Sequence, residues 1–476
     1  MPDLSALRRG GVKALGPVAV VGTALCAARP VSDPSPWLHL RVGQFLADGG
    51  RFASTDPWSP LATRTFVPTQ WLPSVVVDTL YNRFGLDAVV WARMVGIALL
   101  VAALLAATRR TAGTVAALVT TAAVTAASWP ALSERPQLLG FVLLVPLIAG
   151  WVATGHDLRA RWWLVPLTWL CACTHGIWSL GLVVGGLVVG GLFVESIAAQ
   201  RKSATASQPT PGVGRLALVW LACLVAAAVT PLGPRLLLTP FTVGSNGRSF
   251  VAEWLPSSVR QPHVALALVL VVAVVALWVA REHRPRLWEV LLVLAALGLI
   301  LSMQRTVPVG AFVLAPMLAR ELDARLPSRV GASPLARREG IALVTAVALA
   351  ALLAVPVAAA TSADPRYVPT AVQPALDRLA PGTRLIATGD VSGWLLFAAP
   401  DIEPVFDLRI ESYDPAYVRH YISAMDAERG WDGFVRSTGA QAALLLDDSP
   451  LALALQQVWH WRVVEQDRGF VLLEAT

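Results

Sequence analysis

The residues of this chain that could carry out chemistry lie in short polar segments between long apolar runs. Carboxylates and histidines can accept or donate a proton, and arginines can hold a phosphate group through paired hydrogen bonds. A site built from them would combine proton transfer with anion binding. In chain order the candidates are Asp33, His39, Asp56, Gln70, Glu134, Arg135, His175, Glu253 and Arg305.

The other basic residues predict which side of a membrane these segments face. Lys and Arg are enriched in the cytoplasmic loops of membrane proteins, and here they cluster in every second loop. With those loops inside, the candidate segments all face the outer side, where a site could use a lipid-linked or extracytoplasmic substrate. The clusters are Arg8, Arg9 and Lys13; Arg109 and Arg110; Arg159 and Arg161; Arg201 and Lys202; the segment from Arg281 to Arg286; and the segment from Arg320 to Arg338.

The composition is that of a membrane protein. Of 476 residues, 55% are hydrophobic and 14% are charged, and the mean hydropathy is +0.60, whereas soluble domains are about a quarter charged. The loop clusters account for the net charge of +7, so we expect no nucleic-acid partner. The four cysteines lie inside apolar runs and predict no disulfide framework.

Eleven apolar segments are predicted to cross the membrane, whose hydrocarbon core is about 30 Å thick. A count of eleven places the N-terminus inside and the C-terminus outside, and it keeps every basic cluster on one side. The first segment follows a basic stub and is interpreted as an uncleaved span. The segments lie near residues 12–28, 86–108, 112–129, 137–154, 162–174, 177–198, 216–230, 263–280, 287–303, 306–320 and 340–360.

A large polar loop, residues 29–85, separates the first two spans on the outer side. Within it, the segment from Trp71 to Phe84 has apolar residues at helical spacing, which favours a helix lying at the membrane surface. We assign this loop to a transmembrane domain of residues 1–361.

The chain changes character after residue 361. Short apolar runs such as Leu385 to Ala387 and Trp394 to Phe397 alternate with polar helical stretches such as Pro415 to Arg429. This alternation predicts a small α/β domain of residues 362–476, outside the membrane on the same face as the candidate segments. The predicted fold is an α-helical polytopic membrane protein with a small C-terminal extracytoplasmic α/β domain.

The candidate residues occur in short motifs. The first loop contains Asp33-Pro34-Ser35-Pro36-Trp37-Leu38-His39-Leu40, then Thr55-Asp56-Pro57-Trp58-Ser59, then Gln70-Trp71-Leu72. Later motifs are Glu134-Arg135-Pro136-Gln137, Thr174-His175-Gly176, Glu253-Trp254, Gln304-Arg305 and Val405-Phe406-Asp407-Leu408-Arg409, with Tyr413 nearby. Over nearly the whole chain, these motifs resemble a family of bacterial polytopic membrane proteins related to the GT-C glycosyltransferases. That superfamily includes protein mannosyltransferases and lipid A arabinose transferases.

Two positions depart from the pattern of that family, in which the first loop usually reads Asp-Pro-Asp-Leu-Trp-Trp-His-Leu and later Glu-Trp-Leu. Ser35 replaces the second Asp, and Gln70 replaces the Glu. Each departure removes a carboxylate. Both weaken the case for a divalent metal ion held by paired acids, and the sequence assigns no cofactor.

The resemblance implies a GT-C-like fold and a glycosyltransferase of the bacterial inner membrane. Such an enzyme would move a sugar from a polyprenyl-phosphate donor to an acceptor of the cell envelope. Asp33 or Asp56 would be the general base; the resemblance favours Asp33, and the residues alone do not separate the two. The implied substrate-binding residues are His39, Arg135, His175, Glu253 and Arg305.

Each of these residues also has a structural interpretation. Asp33 and Asp56 both precede proline, and an Asp-Pro pair is typical of turns and helix caps. Arg135 and Arg305 lie at span ends, where an arginine reaches the interface without any further function. His39 and His175 could equally be buried histidines that serve packing alone.

Two other charged positions carry separate predictions. Arg93 lies inside a span, where a charge costs about 2.5–3.5 kcal/mol on insertion scales. It is expected to pair with Asp78 or Asp87. Asp407 and Arg409 are two residues apart at a strand end and are interpreted as a surface pair of the C-terminal domain.

Two further functions remain open at this stage. A transporter or flippase of lipid-linked saccharides would carry charges at mid-membrane depth in several spans and an internal repeat. The sequence shows neither feature beyond Arg93. A non-catalytic envelope scaffold is favoured by the carboxylates missing at Ser35 and Gln70. Neither the sugar, the acceptor nor the oligomeric state follows from the sequence.

Overall fold

The computed structural model describes residues 4–202, 212–240, 250, 252–326 and 335–476. They form two compact units. The first comprises the described parts of Met1–Ala28, Val90–Pro240 and Val251–Ala360. The second comprises those of Arg29–Val89, Phe241–Phe250 and Thr361–Thr476.

Most of the described chain is helical, as the composition predicts. The helices are α1 Leu4–Cys26, α2 Ser35–Ala47, α3 Trp71–Phe84, α4 Leu86–Arg109, α5 Thr114–Ser128, α6 Pro136–Asp157, α7 Leu164–Thr174, α8 Trp178–Lys202, α9 Val213–Ala228, α10 Pro262–Ala280, α11 Leu287–Ser302, α12 Val307–Asp323, α13 Arg337–Thr361, α14 Gln373–Leu376, α15 Gly389–Ala398, α16 Pro415–Met425, α17 Trp431–Thr438 and α18 Pro450–Gln457. The strands are β1 Arg384–Ala387, β2 Glu403–Pro404, β3 Ala442–Leu446, β4 Arg462–Asp467 and β5 Phe470–Glu474.

Each of the eleven predicted spans corresponds to a helix, namely α1 and α4 to α13. Six helical segments in the described chain are long and apolar enough to cross a membrane: Leu86–Arg109, Thr114–Ala131, Pro136–Asp157, Trp178–Arg201, Pro262–Ala280 and Arg337–Thr361. Helices satisfy their own backbone hydrogen bonds, which a lipid environment requires. The chain is a multi-pass membrane protein.

Helix α12 lies at the centre of the first unit. Every residue from Val307 to Ala319 is buried, and the helix packs against α5, α6, α10 and α11. Gly310 permits the close approach to α11, because a Cβ atom there would lie 2.8 Å from the Ala296 carbonyl oxygen. This central helix directly follows Gln304–Thr306, so the position of Arg305 is fixed by the best-packed helix of the unit.

The buried arginine of α4 has a different partner from the predicted one. Arg93 donates a hydrogen bond of 2.6 Å to Glu134, and both side chains are inaccessible to solvent. Glu134 was not among the partners suggested from the sequence, Asp78 and Asp87. Those two carboxylates were suggested because they are near Arg93 in the sequence. Glu134, which is 41 residues away, lies beside α4 because the segment before α6 packs there. Asp87 instead accepts a hydrogen bond from the Ser362 hydroxyl.

Residues of the basic clusters form ion pairs at the helix ends remote in sequence from the candidate segments. Arg281 lies 2.7 Å from Glu321, and Arg320 lies 2.7 Å from Glu289. Arg286 lies 2.8 Å from Glu195. For α12, Arg305 precedes the start of the helix and Arg320 and Glu321 lie near its end.

The second unit contains a five-stranded mixed sheet in the order β2-β1-β3-β5-β4. β1 pairs in parallel with β2 and β3, whereas β5 is antiparallel to both β3 and β4. A two-residue turn at Arg468 and Gly469, both with positive φ, connects β4 to β5. Helices cover both faces of the central strands, which confirms the predicted small α/β fold.

The run from Trp394 to Phe397 lies in α15, and it is not a strand. Val391, Trp394 and Leu395 are buried at helical spacing, a pattern that four apolar residues alone cannot distinguish from a strand.

The first loop supplies part of the core of this unit. Trp37 and Leu40 of α2 are buried in the same cluster as Leu385 of β1 and Leu472 of β5. Residues 29–89 therefore belong to the same compact unit as residues 361–476. Independent folding of residues 362–476 stays a prediction, and this core includes side chains from outside that range.

Candidate functional site

Two of the candidates, Asp33 and His39, lie at the start of the hairpin formed by α2 and α3. The helices cross at Gly43, where a Cβ atom would lie 2.4 Å from both the Asp78 Cβ atom and the Ser74 carbonyl oxygen. A larger residue would push the helices apart. Glycine at this position therefore sets the distance between the two helices.

Asp33 immediately precedes α2 and is half-buried. Its Oδ1 atom accepts a hydrogen bond of 2.9 Å from the backbone N–H of Ser35, which is an Asx turn. Gly393 of α15 packs against this turn, since a Cβ atom there would lie 3.0 Å from the Pro34 carbonyl oxygen. The α/β part of the second unit thus fixes the backbone that carries the Asp33 carboxylate.

His39 lies one turn before the crossing point and is buried. Its Nδ1 atom is 3.0 Å from the Ser74 hydroxyl oxygen, and that hydroxyl donates a hydrogen bond of 2.8 Å to the Gln70 carbonyl oxygen. Gln70, which directly precedes α3, contributes its backbone carbonyl to this arrangement. The imidazole is therefore held in one orientation by α3.

Asp56 takes part in a buried ion-pair network of the second unit. Arg409 donates to Asp56 at 2.6 and 3.1 Å, and its Nε atom donates to Asp407 at 2.9 Å. The Tyr413 hydroxyl also donates to Asp407, at 2.9 Å. The Asp56 carboxylate further accepts backbone N–H groups from Trp58 at 3.0 Å and from Ser59. Its side chain is 1% exposed.

Aromatic rings enclose the same guanidinium. It lies 4.5 Å from the ring centroid of Trp58 and 5.3 Å from that of Phe66, within the range of cation–π attraction. Burial lowers the pKa of Arg409, but the facing carboxylates outweigh burial and raise it above its ordinary value. Burial, with the charge of Asp407, also raises the pKa of Tyr413, so its phenol remains a donor.

The interpretation of Asp407 and Arg409 as a surface pair is wrong, since both are buried. Their spacing in the sequence was compatible with a buried or an exposed pair. They are buried because the first loop packs against the α/β domain within the second unit. Asp56, for its part, has both carboxylate oxygens engaged by Arg409.

The other candidates gather in the first unit, where four segments meet. Arg135, just before α6, donates to both carboxylate oxygens of Glu253 at 2.6 and 2.7 Å. Arg305, just before α12, has a nitrogen 4.0 Å from Glu253 and lies over the ring of Trp254. Its Nη2 atom is 3.1 Å from Nε2 of His175, which follows α7. We call Arg135, His175, Glu253 and Arg305 the arginine cluster.

The remaining candidate, Glu134, does not join this cluster through the contacts described above. It pairs with Arg93 at 2.6 Å in the solvent-inaccessible interior. Its neighbour Gln137 donates to the Arg305 backbone carbonyl at 3.5 Å, which helps to fix the segment that carries the arginine. Of this motif, Arg135 belongs to the arginine cluster, Gln137 contacts the segment that carries Arg305, and Glu134 pairs with Arg93.

The carboxylates do not fit a divalent metal ion held by paired acids. The Asp56 carboxylate is bound to Arg409, and Ser35 and Gln70 supply no carboxylate. Within the described residues, no three His, Cys, Asp or Glu side chains are grouped as metal ligands.

Sequence reasoning missed Ser74 and undervalued Arg409. Ser74 falls one helical turn after Gln70 on a helix interpreted as interfacial, and a serine in such a helix carries no sign of a histidine partner. Arg409 lies 353 residues from Asp56. The sequence contained a sign of one contact of Ser74, because a serine four residues after Gln70 on a helix can donate its hydroxyl proton to the Gln70 carbonyl. It contained no sign of the contact between Arg409 and Asp56.

The fold is similar to those of three solved membrane proteins. The archaeal oligosaccharyltransferase AglB from Archaeoglobus fulgidus, in complex with an inhibitory peptide and a dolichol-phosphate, superposes with a TM-score of 0.58 at 12% identity, over 93% of this chain and 70% of that one. ArnT from Cupriavidus metallidurans gives 0.52 at 15% identity, over 98% of each chain. Mycobacterial arabinofuranosyltransferase AftD gives 0.53 at 15% identity, over 99% of this chain and 40% of that one.

No family model matches the sequence, and no curated protein matches it significantly. At identities of 12–15%, the structural likeness concerns the fold.

Proposed function

We propose that this chain, which has the GT-C fold of these membrane glycosyltransferases, is itself a glycosyltransferase with a polyprenyl-phosphate sugar as donor. The acceptor would be an extracytoplasmic component of the cell envelope. The observation that carries the proposal is the arginine cluster, because its chemistry suits the phosphate of such a donor.

The arginine cluster contains the residue type that suits an anion best. The guanidinium groups of Arg135 and Arg305 lie beside the same Glu253 carboxylate, the first at 2.6 Å and the second at 4.0 Å. Arginine suits phosphate because its planar group can donate two parallel hydrogen bonds.

His175 helps to hold Arg305 in place within the cluster. Its Nε2 atom lies 3.1 Å from the Arg305 Nη2 atom, and because arginine can only donate, the histidine nitrogen is the acceptor of this hydrogen bond. The phosphate of the donor would then be bound by the guanidinium groups of the cluster.

Asp33 supplies the second part of the proposed chemistry. An acceptor hydroxyl would attack the anomeric carbon while the bond from that carbon to the phosphate oxygen breaks. The hydroxyl proton would pass to Asp33, and the phosphate would leave with the bonding electrons. Asp56 is the weaker candidate for base, because Arg409 engages its carboxylate.

The first prediction tests the phosphate site directly. Arg305→Ala should weaken binding of undecaprenyl phosphate by about 10- to 100-fold, the loss of hydrogen bonds to a charged group worth about 1.5–3 kcal/mol. The measurement is a binding titration of the purified full chain in lipid nanodiscs. Arg260→Ala is the matched control, because it removes an equal charge from an exposed position before α10.

Equal affinity in Arg305→Ala and the unmodified protein would remove the arginine cluster as the donor site. If the unmodified chain also failed to bind undecaprenyl phosphate, the glycosyltransferase proposal would lose its main support in favour of a scaffold.

We further propose that the chain lies in the bacterial inner membrane with its N-terminus in the cytoplasm and residues 362–476 outside. An alkaline phosphatase fusion after Thr361 should then be active, since that enzyme needs export. A cytoplasmic reporter fused at the same point serves as the control and should be inactive. The reverse result would place the candidate residues on the cytoplasmic side.

A further inference from the structure

Glu253 brings a negative charge into the arginine cluster. Its two carboxylate oxygens accept hydrogen bonds of 2.6 and 2.7 Å from Arg135, and one of them lies 4.0 Å from a nitrogen of Arg305. The phosphate of the proposed donor is negatively charged as well. The two anions therefore repel each other when both lie beside the same guanidinium groups.

The backbone around Glu253 fixes the position of this charge. Glu253 lies in the single turn of 3₁₀ helix Ala252–Trp254. Shortly after it, the Leu255 carbonyl oxygen accepts a hydrogen bond of 3.4 Å from the backbone N–H of Gln304, the residue directly before Arg305. The segment that carries the carboxylate is thus attached to the segment that carries the arginine.

The residue after Glu253 adds a second attachment. The Arg305 guanidinium lies 5.6 Å from the centroid of the Trp254 ring, within the range of cation–π attraction. Two successive side chains therefore lie beside Arg305, the first with a negative charge and the second with a ring face. A ligand that reaches Arg305 meets the Glu253 carboxylate as a built-in part of the site.

The charges of this site are accessible from outside the protein. The side chains of Arg135 and Arg305 are 24% and 22% exposed, and that of Glu253 is 38% exposed. Partly exposed charges interact less strongly than fully buried ones, because water and salt screen them. The repulsion by Glu253 is therefore expected to alter the affinity for an anion moderately without preventing its binding.

We propose that Glu253 is a specificity-determining residue, which favours a donor with one phosphate group over a donor with a pyrophosphate. A guanidinium group binds one phosphate through two parallel hydrogen bonds. A second phosphate group adds further negative charge, which the Glu253 carboxylate repels. Like charges that oppose the wrong ligand are a general source of specificity. The inference rests on the proposed function, because it concerns the phosphate of the donor.

The test compares undecaprenyl phosphate with undecaprenyl pyrophosphate, each titrated against the purified full chain in lipid nanodiscs. Glu253→Gln retains the shape of the side chain and one oxygen that can accept from Arg135, but it has no charge. Both lipids should bind this variant more tightly. The preference for the single phosphate should fall by about tenfold, equal to about 1.4 kcal/mol. An unchanged preference would overturn the proposal.

Glu282→Gln is the matched control. It removes the same charge from an exposed position just beyond the end of α10, whereas Glu253 precedes the start of that helix. Its preference should equal that of the unmodified protein. An equal change in Glu253→Gln and Glu282→Gln would mean that the net charge of the protein sets the preference, which would contradict a specific role of Glu253.

Glu253→Ala separates repulsion from an anchoring role toward Arg135, because it removes the accepting oxygens together with the charge. Repulsion predicts the same tenfold fall in preference as in Glu253→Gln. Anchoring alone predicts that both lipids bind more weakly by the same factor in Glu253→Ala, with the preference unchanged, and that result would refute the proposal. Thermal unfolding in nanodiscs reports whether each variant is folded.

Arg305→Ala in the same titrations distinguishes this inference from the proposed function. If this variant binds both lipids as well as the unmodified protein does, the donor site lies elsewhere and the two proposals fall together. If it binds weakly while Glu253→Gln leaves the preference unchanged, the proposed function stands and only the role of Glu253 is wrong.

Discussion

In an Asp33→Asn protein, sugar transfer is expected to fall by about 10²- to 10⁴-fold while the protein remains inserted and folded. Asparagine has the same shape, and its side-chain oxygen can still accept the hydrogen bond that Ser35 donates to Asp33. Only the negative charge that a general base needs is lost. A purely structural Asp33 would instead lose about 1 kcal/mol of stability or less, because asparagine is itself a good cap.

The readout is the pool of lipid-linked sugars in a strain from which this chain is deleted and replaced by each variant. The unprocessed donor should accumulate with Asp33→Asn as it does in the deletion. Asp48→Asn is the matched control, since it removes the same charge from the exposed opposite end of α2. Normal donor levels with Asp33→Asn would rule out Asp33 as the base. Normal levels with both Asp33→Asn and Asp56→Asn would rule out a carboxylate base in this loop.

Arg409→Met should destabilise the second unit by about 3–5 kcal/mol, the cost of breaking a buried ion pair and leaving its partners uncompensated. Methionine retains much of the aliphatic volume but no charge. Asp56 and Asp407 would then face each other without a cation in a site where their side chains are 1% and 0% exposed. The free energy of unfolding of a folded protein is about 5–15 kcal/mol, so this loss would be a large fraction of it.

Urea unfolding followed by tryptophan fluorescence measures this effect, because Trp58 lies against the Arg409 guanidinium. Arg436→Met is the matched control in the same unit. Arg436 also lies over a tryptophan ring, but its side chain is 70% exposed, and the change should cost about 0.5 kcal/mol or less. Adding Asp56→Asn and Asp407→Asn to Arg409→Met should recover part of the loss. Equal stability of the Arg409 and Arg436 variants would mean that the network contributes nothing.

The helical part of the fold could be predicted from the sequence because its cause is local. A span such as Pro262–Ala280 carries its apolar residues, its proline start and its flanking arginine within one short segment. The α/β fold of residues 362–476 was likewise visible in alternating runs. The run at Trp394 was the exception, because four apolar residues fit a helix and a strand equally well.

The candidate residues could be picked out from the sequence, whereas their pairings could not. Arg135, Glu253 and Arg305 were singled out because they lie in polar segments between the apolar runs, and the structure brings them together with His175. The sequence could not show that Asp56 is bound to an arginine while Asp33 forms an Asx turn. The difference depends on Arg409, which reaches Asp56 only through the tertiary fold.

The bond between Asp56 and Arg409 also has a consequence for the order of events during synthesis. The two residues are 353 positions apart, so the ribosome completes Asp56 long before Arg409 exists. Through that interval, Trp37 and Leu40 lack the strands that cover them in the finished protein. A chain stopped before β1 would thus expose the apolar side chains of Trp37 and Leu40, and exposed apolar surface makes an incomplete chain prone to aggregation. The first loop can therefore reach its final packing only after β1, β3 and β5 have been synthesised.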